Sequence, residues 1–258
     1  MNELFYFDDN WKNIGVKLSG GADSAIMYYA ICDYYKDRDD VKIYPITLDT
    51  KFKSWYSKGA KRIIDKVTEL TGKGPAEHII KFSTKHKNKQ TVSWYVTEQQ
   101  QMIKESHAKY KFDAIYNGLT SNPVEEDFLE SIRQHYSDDK LFELTKSHIV
   151  KRDFDRDLGK NKYAQNVIDT GYFINIRPFV HGDKKLTAEV YKYYNRLDDL
   201  YSLSYSCETR WQEHKLEQKH SHEWKHCGYC FFCAERIYAF GDLETTGSMQ
   251  RIVLVNLS

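Results

Sequence analysis

The stretch Ile14-Gly15-Val16-Lys17-Leu18-Ser19-Gly20-Gly21-Ala22-Asp23-Ser24 decides the fold. Its first five residues are a short β-prone run that stops at the glycine pair. From Asp23 to about residue 35, Ile26, Tyr29, Ala30 and Tyr34 fall at helical spacing. A strand, a tight turn and a helix form the opening unit of an alternating α/β chain. Adjacent glycines let the backbone turn sharply and gather N–H groups around one point. The helix start adds free donors and partial positive charge, so the turn suits an anion. Ser19 and Ser24 supply hydroxyls, and Asp23 is placed to cap the helix.

The alternation continues outward. Residues 41–48 read as a second strand closed by Asp49. Residues 54–71 read as a helix, with Ala60, Ile63, Ile64, Val67 and Leu70 on one face and Gly72 ending it. Residues 78–82 and 113–118 read as further strands, order resumes at 174–178, and residues 92–109 and 186–198 read as helices. This order predicts an α/β fold: a twisted parallel sheet flanked by helices, with ligands beyond the carboxyl ends of the strands. The glycine loop, Leu48-Asp49 and Asn117-Gly118 all fall at such ends. The pattern weakens over 120–172, where Lys151-Arg152-Asp153-Phe154-Asp155-Arg156-Asp157 alternates charge like a surface excursion or a lid.

With 258 residues and 41% hydrophobic content, the chain can bury one large core with a small appendage. Residues 1–200 are expected to form the α/β domain, with an insert at about 140–172, and residues 201–258 a C-terminal metal-binding subdomain. A net charge of +1 gives no argument for a nucleic acid or a membrane surface. The basic run Lys81-Phe82-Ser83-Thr84-Lys85-His86-Lys87-Asn88-Lys89 reads first as a solvated loop, and second as a phosphate or RNA contact. Neither a targeting signal nor an apolar stretch long enough for a bilayer is visible, so a cytoplasmic protein with reduced thiols is expected.

Cys227, Cys230 and Cys233 recur at three-residue intervals, and Cys207 lies upstream. Four thiolates suit a closed tetrahedral Zn²⁺ site. An iron–sulfur cluster uses the same ligand set and stays open as the alternative. His214, His220, His222 and His226 are read as loop residues, because the thiols already complete the shell. Cys32 reads as a buried helix residue.

The loop Ser19-Gly20-Gly21-Ala22-Asp23-Ser24 lacks the lysine ending of a Walker A loop. It is similar to the SGGxDS loop of the N-type ATP pyrophosphatase (PP-loop) superfamily, which implies an adenine nucleotide alpha hydrolase fold. In combination with the cysteine ending, the chain resembles the 7-cyano-7-deazaguanine synthase family. Four stretches carry the resemblance: residues 16–24; Ile46-Thr47-Leu48-Asp49; Arg177-Pro178-Phe179 through Asp183-Lys184; and Ser206-Cys207 with Cys227-Gly228-x-Cys230-x-x-Cys233-x-x-Arg236.

The resemblance implies that ATP is cleaved between its alpha and beta phosphates to adenylate a carboxylate. That carboxylate belongs to 7-carboxy-7-deazaguanine, and ammonia carries it to the amide and then the nitrile. ATP would lie on Leu18, Ser19, Gly20, Gly21, Ala22, Asp23, Ser24, Leu48, Asp49, Asn117 and Gly118. Ser19, Asp23, Ser24 and Lys184 would be catalytic, with Mg²⁺ on the departing pyrophosphate. Zn²⁺ would be held by Cys207, Cys227, Cys230 and Cys233. A homodimer is allowed for.

Two loops depart from the family pattern. Gln90-Thr91-Val92-Ser93-Trp94 stands where the family carries Gly-Arg-Asn. Asn117 through Glu126 replaces its Asp and Tyr-Pro-Asp-Cys run. A sibling stopping at the amide, a PP-loop tRNA-modifying enzyme (a sulfurtransferase or a lysidine-type ligase) and a non-catalytic nucleotide-binding scaffold are the competing readings.

Overall fold

A computed structural model describes residues 4–50, 56–83, 92–148, 162–163, 166–207 and 226–243. Strands and helices alternate first: β1 (Asn13–Lys17), α1 (Ala22–Tyr34), β2 (Lys42–Thr50), α2 (Tyr56–Thr71), β3 (Ile79–Ser83), α3 (Val92–Tyr110) and β4 (Ala114–Tyr116). Then follow α4 (Glu125–Ile132), α5 (Asp138–His148), β5 (Val167–Asp169), β6 (Ile174–Ile176), α6 (Lys184–Tyr194) and α7 (Phe231–Phe240). The six strands form one sheet in the order β3-β2-β1-β4-β6-β5. All neighbours run parallel except β5 against β6. The expected parallel α/β architecture is therefore observed, with the antiparallel β5 as a departure from it.

Alternation of side chains along each strand divides the apolar residues between the two faces. Ile14, Val16, Ile43, Tyr116 and Ile176 pack with residues of α1, α2 and α6. Tyr44, Ile46, Leu48 and Ile115 face Met102 and Ile103 of α3 on the other side. Strand order changes direction beside β1, since β2 lies on one flank and β4 on the other. The glycine loop emerges from β1 at this switch point, where parallel sheets leave a crevice.

A second apolar cluster stands apart from the sheet. Phe128, Ile132, Tyr136, Leu141 and Leu144 pack against Tyr205, Cys207, Phe231, Cys233 and Ile237. Thus α4 and α5, in the stretch of weak pattern, support the cysteine-rich segment through contacts distant in sequence.

Several boundaries differ from the sequence expectation. Helix α6 begins at Lys184 and stops at Asn195, which adopts φ 54° and caps the helix in the left-handed region. A π-helical turn, Leu197–Tyr201, follows instead of continued α-helix. Strand β6 ends at Ile176, two residues before Pro178, which has no N–H to extend the ladder. Most of the basic run, the charged segment 151–157, and His214, His220 and His222 lie outside the described residues. No helix among the described residues is long and apolar enough to cross a membrane.

Candidate functional site

The glycine loop is shaped by one position that only glycine fits. Gly20 adopts φ +80°, and a Cβ there would lie 2.6 Å from the carbonyl carbon of Gly59 in α2. The loop and α2 therefore meet backbone to backbone. Gly21 differs, with φ −77° as the N-cap of α1, and a Cβ there would make only ordinary contacts. Inside the turn, the Ser24 hydroxyl donates to the Gly21 carbonyl at 3.1 Å and accepts from the Ser19 amide at 3.2 Å. The Gly21 amide donates to Ser19 Oγ and the Ala22 amide to Ser206 Oγ, each at 3.4 Å.

Asp23 does not cap α1, contrary to expectation, since no side-chain bond closes the helix start. Its carboxylate turns instead toward α6. Lys184 Nζ donates to Oδ2 at 2.5 Å, and the Thr187 hydroxyl donates to Oδ1 at 2.8 Å. The whole Lys184 residue is 3% exposed, so it is no solvated helix-start lysine. Asp183 caps α6 by accepting from the Lys185 amide, and the Tyr238 hydroxyl of α7 donates to it at 2.7 Å. The Asp183-Lys184 pair thus anchors α6 to α7 with one residue and to the glycine loop with the next.

The flanking strand ends behave differently from one another. The Leu18 amide donates to Ile46 O at 3.0 Å, and Thr47 Oγ1 donates to Leu18 O at 2.6 Å, fixing β1 to β2 where the loop begins. Leu48 is buried. Asp49 is also buried and receives the Ser57 amide at 2.9 Å together with the Ser57 hydroxyl, so it caps α2. Gly118 presses on the first turn of α1: a Cβ would lie 3.3 Å from the Asp23 carbonyl carbon and the Ser24 nitrogen. Asn117 continues the sheet by donating its amide to Ile176 O at 2.9 Å.

The four expected cysteines come together. The ligand atoms of Cys207, Cys227, Cys230 and Cys233 all lie within 4.8 Å of one another. Cys227 and Cys233 sulfurs are 3.8 Å apart, Cys230 and Cys207 3.9 Å, and Cys230 and Cys233 3.4 Å. Sulfurs at tetrahedral corners about 2.3 Å from one ion would be separated by about 3.8 Å. The set therefore fits a single metal ion. Hydrogen bonding to Cys207 and Cys227, joined by burial, pushes the Cys230 and Cys233 thiols up, as expected of crowded sulfurs that need a cation to ionise together.

This cluster is joined to the glycine loop by the chain around Cys207. The Tyr205 amide donates to Gly20 O at 2.8 Å, and Ser206 accepts from Ala22. Arg236 of α7 is fully buried behind them. Its guanidinium donates to Ser204 Oγ at 2.8 Å, Tyr201 O at 3.1 Å and Leu243 O at 2.9 Å, and stands 3.9 Å from the Tyr201 ring centroid. The final arginine of the cysteine motif is a brace between α7 and the loop-facing segment.

Thr187, Tyr205 and Lys17 were not singled out by sequence reasoning. Lys17 follows the apolar run Ile14-Gly15-Val16 at the end of β1, a signal visible in the sequence. Its Nζ donates to Gln99 Oε1 of α3 at 3.2 Å. Burial, followed by the nearby Arg177 charge, lowers its pKa to about 8.

No protein-family model matches the chain, and no curated protein matches it. Among solved structures it is similar to the U34-tRNA thiolase NcsA from Methanococcus maripaludis with its 4Fe-4S cluster, at 15% identity and a TM-score of 0.42. The alignment covers 71% of this chain and 56% of that one, so the chain spans little more than half of that structure's length.

Proposed function

We propose that the chain is an ATP-dependent carbon–nitrogen ligase that adenylates the carboxylate of 7-carboxy-7-deazaguanine and carries it with ammonia to the nitrile, or stops at the amide. The observation that carries this reading is the ion pair of buried Lys184 with half-buried Asp23, seated on a glycine loop at the sheet's switch point. The loop offers the amides of Gly21 and Ala22, each held at 3.4 Å by a hydroxyl that can rotate away in favour of a phosphate oxygen. Lys184 brings a positive charge, positioned by Asp23, to where charge builds on departing pyrophosphate. Mg²⁺, when bound with ATP, would neutralise the same leaving group.

The chemistry balances in two rounds. A carboxylate oxygen attacks the alpha phosphorus and pyrophosphate leaves. Ammonia then attacks the acyl carbon, AMP leaves with the carboxylate oxygen, and a proton is lost. The amide oxygen then attacks the alpha phosphorus of a second ATP and pyrophosphate leaves, after which loss of AMP and two protons gives the nitrile. This chain's residues hold the phosphates and the acceptor.

The cysteine set is read as a structural Zn²⁺ site. Sulfurs that all lie within 4.8 Å of one another suit one ion, whereas four separated irons require a wider thiolate set. Transfer of sulfur to tRNA is disfavoured by the fifth cysteine. Cys32 is wholly buried in α1, and burial pushes its thiol up to about 12.

The test is incubation of the purified chain with ATP, Mg²⁺, 7-carboxy-7-deazaguanine and ammonium, read by mass spectrometry. A nitrile with AMP is expected. AMP with the amide alone assigns the earlier end point, and absence of AMP overturns the reading.

A further inference from the structure

The carboxyl ends of three adjacent strands place a second set of charges beside the glycine loop, on the α3 side of the sheet. In the parallel register Val16 pairs with Tyr116, and Tyr116 with Ile176. One residue further on, the same row runs Lys17, Asn117, Arg177. Alternation sends Lys17 away from the α1 face, and its bond to Gln99 of α3 confirms the side. Ile176 packs on the α1 face, so Arg177 also points toward α3. Lys17 and Arg177 are two strand spacings apart, about 10 Å between backbones, within reach of converging long side chains.

Neither cation has a carboxylate partner among the described residues. Lys17 is held by the Gln99 carbonyl oxygen. Arg177 donates its amide to Asn166 O at 2.9 Å and Nε to Asn166 Oδ1 at 2.7 Å. That contact orients the guanidinium and leaves its terminal nitrogens, the fork that fits a carboxylate, without a hydrogen bond among the described residues. Two half-buried cations on nearby strand ends repel each other and lose part of their hydration, a cost that an anion between them removes. Burial first, and the Arg177 charge second, depress the Lys17 amine.

We infer that Lys17, Asn117 and Arg177 form the subsite that receives the carboxylate of the planar heterocyclic acid, an assignment that rests on the proposed adenylation. The phosphates have their own donors in the loop amides and Lys184. A second anion subsite starting two residues before Ser19 brings a carboxylate oxygen beside the alpha phosphorus without competing for those donors. Asn117 supplies an amide group between the two cations.

Calorimetry on the full chain tests this with two ligands: α,β-methylene-ATP alone, and 7-carboxy-7-deazaguanine in its presence. Arg177→Gln and Lys17→Gln are each expected to weaken the acid at least tenfold and the nucleotide less than twofold. Weakening of the nucleotide instead assigns the pair to the phosphates and overturns the inference, as does no change in either ligand. Benzoate, read by NMR titration of the Lys17 amine in the wild-type chain, tests the subsite apart from turnover and from the folding of any variant. A benzoate-induced rise in the midpoint supports the subsite even where no nitrile forms, in which case the synthase reading alone falls. An unmoved midpoint in a chain that does form nitrile overturns the subsite alone.

Discussion

Lys184 Nζ and Asp23 Oδ2 are 2.5 Å apart although 161 residues separate them in the chain. The contact closes α6 onto the first turn of α1, and Thr187 completes the carboxylate's shell. Lys184 is buried and Asp23 half-buried, so removing either leaves the other without its charge partner. Asp23→Asn and Lys184→Met are each expected to cost about 3 kcal/mol of stability, and the double variant much less than the sum. AMP formation should fall by about 100-fold in Lys184→Met and stay low in the double variant. Urea unfolding beside AMP assays separates the two effects; a double variant regaining turnover would show that the charge serves the fold alone.

The two loop glycines should respond unequally. Gly20→Ala places a Cβ at φ +80° and against the Gly59 backbone, a combined cost of about 2–5 kcal/mol. Gly21→Ala meets neither obstacle and should remain within about 1 kcal/mol of wild type. Thermal melts of the two variants check the order, and equal losses would place the constraint elsewhere.

The alternating first half was legible because each element carries its own signal: apolar runs, helical spacing, and turn glycines at the strand ends. The second cluster was not, because Phe128, Ile132 and Leu144 are core residues only by virtue of Phe231, Cys233 and Ile237. Helix α7 hid within the cysteine motif, where the spacing of thiols masks the apolar face of Phe231, Ala234, Ile237 and Tyr238. The cysteines and the glycine loop could each be found from spacing alone. Their junction through Tyr205, Ser206 and Arg236 could not, since hydrogen bonds to and from the backbone leave no pattern in a sequence.

That junction makes metal loss a test of coupling. Metal analysis should find one zinc per chain, and Cys230→Ser should lose it. Because the thiolates must be deprotonated to bind, retention should fail as pH drops. Release of the Cys207 segment removes the Tyr205 bond to Gly20 and the Ser206 acceptor for Ala22, so chelation should weaken ATP binding as well. Iron with sulfide in place of zinc would overturn the metal assignment, and unchanged nucleotide affinity after stripping would overturn the coupling.

Lys17 gives a pH signature with a determined sign. Its folded pKa is about 8, below the ordinary 10.5, because burial and then the Arg177 charge oppose protonation. Between those two values the unfolded chain binds the additional proton, so this group makes stability rise with pH across that window. Below about pH 8 both states are protonated and the charged folded form carries its full penalty. Lys17→Met should therefore be more stable than wild type at pH 7, with the advantage shrinking as pH rises from about 8 toward 10.5. Urea midpoints at pH 7 and pH 10 measure the difference. A Lys17→Met chain that is less stable at pH 7 would mean that the Gln99 contact outweighs the burial of the charge.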